Sequence, residues 1–330
     1  MHVLVTGGAG YIGTVLVPKL LAAGHRVTVF DALWFGASGL AAHRDDPGLK
    51  IVEADIRDSA AVDGALSGVD AVIHLAAISN DPCSDLDADL TRSVNLDALA
   101  HVMRSSKAHG VTRFLYASSA SVYGIKETAD VVEDLPLEPI TLYARYKAEG
   151  EEILNGLVDD GFVGVSVRAA TVCGYSPRLR LDLTINILTS HAVTNGRIRV
   201  FGGSQMRPNI HIEDLTDLYV HLLDAPADKV NGQAFNVSSR NASVMQLAQM
   251  IQGVIDPNIP IDIVDTMDHR SYHLSAGKAE RVLGFAPKHH LEAAVEGLKA
   301  AFGDGRIADP SDVTYRNVAW MKENPGRWRR

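Results

Sequence analysis

The sequence predicts an α/β fold, a doubly wound parallel sheet with a smaller, interleaved C-terminal α/β lobe. Three observations predict it. Short β-branched runs alternate with longer amphipathic stretches through the first half of the chain. A glycine-rich turn follows the first of those runs. After Arg168 the alternation weakens and loop formers multiply, at Ser176-Pro177, Gly202-Gly203, Arg207-Pro208, Ala225-Pro226, Asp256-Pro257 and Ile259-Pro260.

Taken in order, Val3–Thr6, Arg26–Phe30, Lys50–Glu53, Ala71–His74, Arg113–Ala117 and Gly164–Arg168 are expected as strands. Between them Ile12–Ala23, Ser59–Leu66, Leu90–His109 and Leu142–Val158 carry apolar residues at spacings of three and four, so each can lay one face on a sheet. Right-handed crossovers then make the sheet doubly wound, and ligands bind beyond the carboxyl ends of such strands. Residues 1–170 form the first domain, and 171–330 supply mainly a second lobe. Two later pieces, the helical Asp214–Leu223 and the strand-like Ala234–Val237, read as returns to the first domain near 208–240.

Composition narrows the function classes. The 330 residues are 46% hydrophobic and 22% charged, enough for a large core plus a second lobe. A net charge of −9 gives no field to attract nucleic acid, and the basic Arg327, Arg329, Arg330 end reads as a solvated tail. Cys83 and Cys173 cannot build a disulfide framework or a four-ligand zinc site, and they suit a reducing, cytoplasmic setting. The run His2–Val5 is too short for a signal-peptide core, and no segment approaches the ~18 apolar residues of a membrane helix. No membrane partner is expected.

Thr6–Gly13 reads Thr-Gly-Gly-Ala-Gly-Tyr-Ile-Gly, with Gly7, Gly10 and Gly13 (or Gly8, Gly10 and Gly13) at dinucleotide spacing between a strand and a helix. Glycine lets backbone N–H groups approach a pyrophosphate, which also meets the positive end of the helix. Tyr11 and Ile12 lie in the same turn. Asp31 ends the second strand about 20 residues on, where a carboxylate binds ribose hydroxyls and repels a 2′-phosphate. These features predict a Rossmann domain that takes NAD rather than NADP. Asp55-Ile56 flanks the adenine, Leu75-Ala76-Ala77 passes close to the cofactor, and Trp34-Phe35 forms a loop over the adenosine.

Tyr143 and Lys147 are four apart at the start of a helix and project from one face. A tyrosine hydroxyl, with a pKa of about 10, is a poor base until a neighbouring ammonium favours its phenolate form. Ser119, in the Ala117–Gly124 stretch after the fifth strand, can hold and polarise the reacting oxygen. A serine hydrolase is disfavoured because no Gly-x-Ser-x-Gly elbow follows a strand. His74 reads as a packed core residue, and neither His289-His290 nor His269 with His273 makes a metal set.

Thr6–Gly13, Asp31, Asp55-Ile56, Leu75–Ala77, Ser118–Gly124, Tyr143–Lys147, Arg207–Asp214 and Arg270 together resemble the extended short-chain dehydrogenase/reductases. That group contains the NAD-dependent nucleotide-sugar epimerases and dehydratases, and the likeness spans nearly the whole chain. It implies that Tyr143 is the base, that Lys147 binds the nicotinamide ribose and tunes Tyr143, and that Ser119 orients the substrate. Dehydratases of the group carry an acidic pair after the serine position, where this chain has Ala120 and Ser121. The departure points to the UDP-glucose 4-epimerase side. Arg207 and Arg270 match arginines that contact a diphosphate in the family, so a nucleotide-diphosphate sugar is the implied substrate. Thr171 stands where these enzymes commonly have asparagine. Ser79, Asn80, Ser121, Arg178 and Asn186 are further candidate substrate contacts, with Arg180 and Asp182 beside them.

The resulting expectation is an NAD-dependent epimerase that oxidises its sugar transiently at C4 and re-reduces it on the other face. A nucleotide-sugar dehydrogenase or 4-ketoreductase would use the same three residues, and a nicotinamide-sensing binding protein is the non-enzymatic alternative. The likeness further implies a homodimer through the helices Leu90–His109 and Leu142–Val158; Leu99, Val102, Met103 and Ile153 are apolar enough for that interface, or else face the sheet.

Overall fold

The computed structural model describes residues 1–126, 128, 130–265 and 273–328. Helices alternate with β1 (His2–Thr6), β2 (Arg26–Asp31), β3 (Leu49–Glu53), β4 (Ala71–His74), β5 (Arg113–Ser119) and β6 (Val163–Ala169). Shorter strands follow: β7 (Thr171–Cys173), β8 (Ile198–Phe201), β9 (Met206–His211), β10 (Gln233–Val237), β11 (Arg240–Ser243) and β12 (Ile261–Val264).

A seven-stranded sheet runs β3-β2-β1-β4-β5-β6-β10, with every pairing parallel. This is the expected Rossmann architecture. Period-two alternation sends Val3, Val5, Ala71 and Ile73 to one apolar cluster, with Leu16, Leu20, Leu215 and Leu222 of the covering helices. Leu4, Phe30, Val72 and Phe114 go to the other, with Val62, Leu99, Val102 and Leu154. Helices on both faces explain why the central strands read as nearly unbroken apolar runs. The strand order reverses between β1 and β4, and the two chains leaving those strands open a crevice at the carboxyl edge.

One helix departs from expectation. The stretch expected as Leu90–His109 comprises Ala88–Arg92, a π-helical Ser93–Ala98 and Leu99–Ala108. Within the π turn Asn95 accepts from Ile78 N at 2.7 Å and donates to Ile78 O at 2.9 Å, pinning the loop that leaves β4. Leu99, Val102 and Met103 are at most 1% exposed and pack on the sheet, so of their two readings the sheet-facing one holds and the interface one does not. Half-buried Ile153 packs against the same cluster.

The smaller lobe has a β7-β9-β11 sheet and a β8-β12 pair. Helices Thr184–Asn195, Val244–Ile255 and Leu291–Gly303 close over Ile185, Leu188, Leu247, Ile251, Leu291 and Val295. The chain then returns: in Asn317–Glu323 and Pro325–Trp328, Trp320, Met321 and Trp328 join the cluster of Leu4 and Phe30. No described helix is long and apolar enough to cross a membrane.

Candidate active site

The crevice between β1 and β4 is a cleft of about 1000 Å³, open mouth included, lined by Gly7, Gly10, Tyr11, Ile12, Gly13, Asp31, Asp55, Ile56 and Leu75–Ile78. Two glycines are dictated by contact. Gly7 has φ +70°, and a Cβ there would lie 2.7 Å from Ala76 N in the loop leaving β4. A Cβ on Gly13 would collide with the Gly8 carbonyl. The helix Gly13–Ala22 begins at this turn and presents its N-terminal dipole to the cleft. Asp31 accepts from Ala9 N at 3.0 Å and Leu33 N at 2.8 Å. Burial raises its pKa, and those two N–H groups oppose the rise. Asp55 is gripped by Arg57 at 2.7 and 2.9 Å; although burial penalises its charge, the Arg57 bonds hold its pKa below the ordinary value.

The rest of the cleft wall comes from far along the chain. Ser176 Oγ donates to Tyr11 O at 2.7 Å, and Arg178 N donates to Thr14 Oγ1 at 3.3 Å. Arg178 stacks its guanidinium 3.7 Å from the Phe35 ring centroid and donates to Asn317 Oδ1 at 2.7 Å. Trp34 and Phe35 lie 6.3 and 4.6 Å from the Trp320 ring, so the loop over the cleft is fastened to the helix Asn317–Glu323.

The candidate reacting residues sit one strand further along. The helix Leu142–Asn155 starts at Thr141, whose hydroxyl accepts from Ala144 N at 3.2 Å and donates to Asp81 Oδ1 at 2.6 Å. That cap sets Tyr143 in the first turn and Lys147 one turn on. Lys147 is 3% exposed. Its Nζ donates to Ala117 O at 2.6 Å and lies 5.7 Å from the Tyr143 ring centroid. Burial lowers its pKa to about 7, against the pull of Glu151. Ser119 ends β5, and its Oγ accepts from Ser121 N at 3.2 Å and Ser121 Oγ at 2.9 Å. His74 is buried against Thr6 Oγ1 at 2.9 Å, and burial drops its pKa to about 3, so it is neutral and serves packing.

A family model for NAD-dependent epimerases and dehydratases matches residues 3–238. The chain belongs to that family. A UDP-glucose 4-epimerase of Lactobacillus helveticus is 31% identical over 319 residues, covering 88% of this chain and 93% of its own length. A dTDP-glucose 4,6-dehydratase of Streptomyces griseus is 30% identical, covering 99% and 96%. The solved UDP-glucuronic acid 4-epimerase of Bacillus cereus, in complex with UDP-glucuronic acid and NAD, shares the fold with a TM-score of 0.83 at 23% identity, covering 92% and 99%.

The family's NAD dependence fits the cleft on this chain's own geometry: a turn that tolerates no Cβ, a helix N-terminus, and a half-buried carboxylate beside it. Several expected substrate contacts are placed otherwise. Asn186 is fully buried and spends its amide on Gly174 N, Tyr11 Oη and Arg180 O, so it rivets the lobe to the glycine turn instead of facing a sugar. Tyr11 in turn gives its hydroxyl to Gly174 O at 2.7 Å. Asn80 Oδ1 caps the short helix Asp81–Ser84. Ser79 accepts from Asn317 at 3.0 Å and Arg180 at 3.3 Å inside the cleft. Thr171 opens β7 and Arg207 lies in β9, adjacent strands of one sheet. Arg270 lies outside the described residues. The sequence reading missed Asn317, whose segment carries no motif. Among the described residues no group of His, Cys, Asp and Glu could hold a metal.

Proposed function

We propose that the chain is an NAD-dependent epimerase of a nucleotide-diphosphate sugar, acting through transient oxidation at C4 and re-reduction on the opposite face. The observation that carries the reading is Lys147, buried against β5 and beside the Tyr143 ring, next to a strand end that offers Ser119 and no acidic pair. Residues 1–170, with the returns near 208–240, mainly hold the cofactor, and 171–330 mainly the sugar. Gly7, Gly10–Gly13, Asp31, Asp55, Ile56 and Leu75–Ala77 hold NAD, which supplies a hydride acceptor and donor when bound. Tyr143 takes the proton of the C4 hydroxyl and gives it back to the reformed alkoxide. In its protonated form, which its pKa of about 7 leaves partly populated at neutral pH, Lys147 lowers the cost of the phenolate. Ser119, steadied by Ser121, hydrogen-bonds the reacting oxygen. Arg207, Arg270 and Thr171 contact the nucleotide sugar, and the similarity to a UDP-glucose 4-epimerase makes UDP-sugars the first substrates to try.

A homodimer in a cytoplasmic setting is part of the proposal. Its face is the groove of Leu96, Ala100 and Ile153 between the two helices, rimmed by Asp97, Arg104, Glu149 and Glu152. Light scattering checks it. The function is tested by incubation with NAD and UDP-sugars, followed by proton NMR and by absorbance of reduced nicotinamide. A new isomer without accumulated reduced cofactor is expected; stoichiometric reduction would identify a dehydrogenase instead. Tyr143→Phe is expected to lose about 10³-fold in turnover while NAD still binds.

A further inference from the structure

Two buried guanidinium groups in the cleft wall are only partly used by the protein. Arg178 and Arg180 are each 8% exposed, and both line the cleft that contains the glycine turn. Arg180 gives Nε to Asp182 at 2.8 Å and Nη1 to Ser79 at 3.3 Å, but its Nη2 has no hydrogen-bond partner among the described residues. Arg178 gives Nη2 to Asn317 and Nη1 to Leu179 O at 3.4 Å, and its buried Nε is also unpartnered. Leaving such donors buried and unsatisfied is costly, and two cations two residues apart repel each other. Burial, reinforced by Arg180, drops the Arg178 pKa to about 9. A ligand anion in the cleft would relieve both penalties.

Position says which anion. The backbone N–H of Arg178 is bonded to Thr14, in the first turn of the helix whose N-terminus meets the cleft. Gly39 and Phe35 pack beside it, and the Asp31 carboxylate is near enough to feel its charge. Arg178 is therefore tied to the first turn of that helix and lies close to the carboxylate proposed to hold the adenosine ribose. Lys147 and Ser119 lie beyond the next strand.

We propose that Arg178, with Arg180 behind it, is a second anchor for the cofactor's pyrophosphate, complementing the backbone donors of the glycine turn. A guanidinium suits this role because its planar fork offers several N–H groups to phosphate oxygens at once. Asn317 holds the fork in place, so the helix Asn317–Glu323 takes part in gripping the cofactor. The inference rests on the reading that this cleft binds NAD.

The test uses the full-length chain and calorimetric titration with NAD, ADP, adenosine and UDP. Arg178→Met is expected to weaken NAD and ADP by roughly 10- to 100-fold, the loss of one or two charge-assisted hydrogen bonds. Adenosine, lacking phosphates, should stay within about threefold, and UDP should not change. Undiminished ADP affinity overturns the proposal. An equal loss for adenosine also overturns it, because Arg178 would then act only by shaping the Phe35 loop. A loss confined to UDP assigns the arginine to the substrate diphosphate and overturns it as well. If Arg178→Met does not fold, Arg178→Gln, which keeps part of the stem and a donor toward Asn317, is read on the same scale. Failed epimerisation with intact NAD binding would count against the Tyr143 reading and leave this one standing.

Discussion

Arg168 and Arg178 are both buried cations, yet the protein treats them oppositely. Arg168 lies beneath the candidate reacting residues and gives Nη2 and Nε to Glu151 at 2.7 to 3.1 Å and Nη1 to Tyr123 at 2.7 Å. Ser118 donates to the same carboxylate, and Tyr123 passes the network on to Asn236 at 2.7 Å. Burial disfavours the Arg168 charge, but Glu151 more than compensates and the pKa rises. Arg178 rests on a ring, an amide and a carbonyl, and its pKa falls. The contrast separates a cation that completes the fold from one left ready for a ligand. Where the protein neutralises a buried charge internally, it builds structure; where it leaves donors over, a ligand finishes the site.

The contrast can be broken at several points. Glu151→Ala would strand Arg168 without a counter-charge and should cost about 3–5 kcal/mol, read as a shifted midpoint in urea denaturation. A cost near zero would show that Arg168 is as loosely held as Arg178. Next, Arg168→Met should destabilise by about 3 kcal/mol, because buried Glu151 loses its counter-charge and keeps the Ser118 hydroxyl. Arg178→Met, measured without nucleotide, should change stability by no more than about 1 kcal/mol, since losing the Phe35 stack is offset by removing a buried charge that Asp182 and Asp31 compensate only in part. Equal losses in the two variants would erase the distinction.

Lys147 sharpens the comparison as a third case, a buried cation with only partial compensation. Its folded pKa of about 7 lies below the ordinary 10.5, so above pH 7 the unfolded chain binds a proton that the native chain has released. Lys147 therefore makes folding more favourable as pH rises through that window. The melting temperature of wild type relative to Lys147→Met should climb from pH 7 to 8.5, because titrations common to both proteins cancel in the difference. A flat difference would mean the ammonium is better compensated than its surroundings indicate. The smallest effect is expected at the solvent-exposed pair Arg240–Glu292, 3.1 Å apart, where Arg240→Gln should cost between 0 and about 1 kcal/mol and nothing in high salt.

Much of the sheet could be read directly. Ala71–His74 has the expected bounds, and β1, β2, β3 and β6 differ by a residue or so at their ends. Burial on both faces leaves a local apolar signature that does not depend on distant partners. β5 runs on past Ala117 to Ser119 because Ser118 and Ser119 pair with Arg168 and Ala169, a continuation their small polar side chains did not announce. The glycine turn was equally legible, since the contacts that require Gly7 and Gly13 are with the loop leaving the neighbouring strand and with Gly8, although the lobe's bonds to Tyr11 were not. The lobe residues fared differently. Asn186, Asn80 and Ser79 are polar residues of plausible type near the site, but their partners are the protein's own Gly174, Cys83 and Asn317. Polarity alone cannot separate a ligand contact from an internal rivet.

By itself the sequence determined the doubly wound sheet, the glycine turn with Asp31, and the helix that carries Tyr143 and Lys147 on one face. Each follows from residue type and short-range periodicity, which sterics and burial impose locally. The tertiary structure alone decided that Asn317 meets Arg178 across 139 positions and Ser79 across 238, and that Trp320 fastens the Trp34–Phe35 loop. Hydrogen bonds and stacks between such distant residues leave no periodic trace in the chain, because they exist only once the sheet has brought its two ends together.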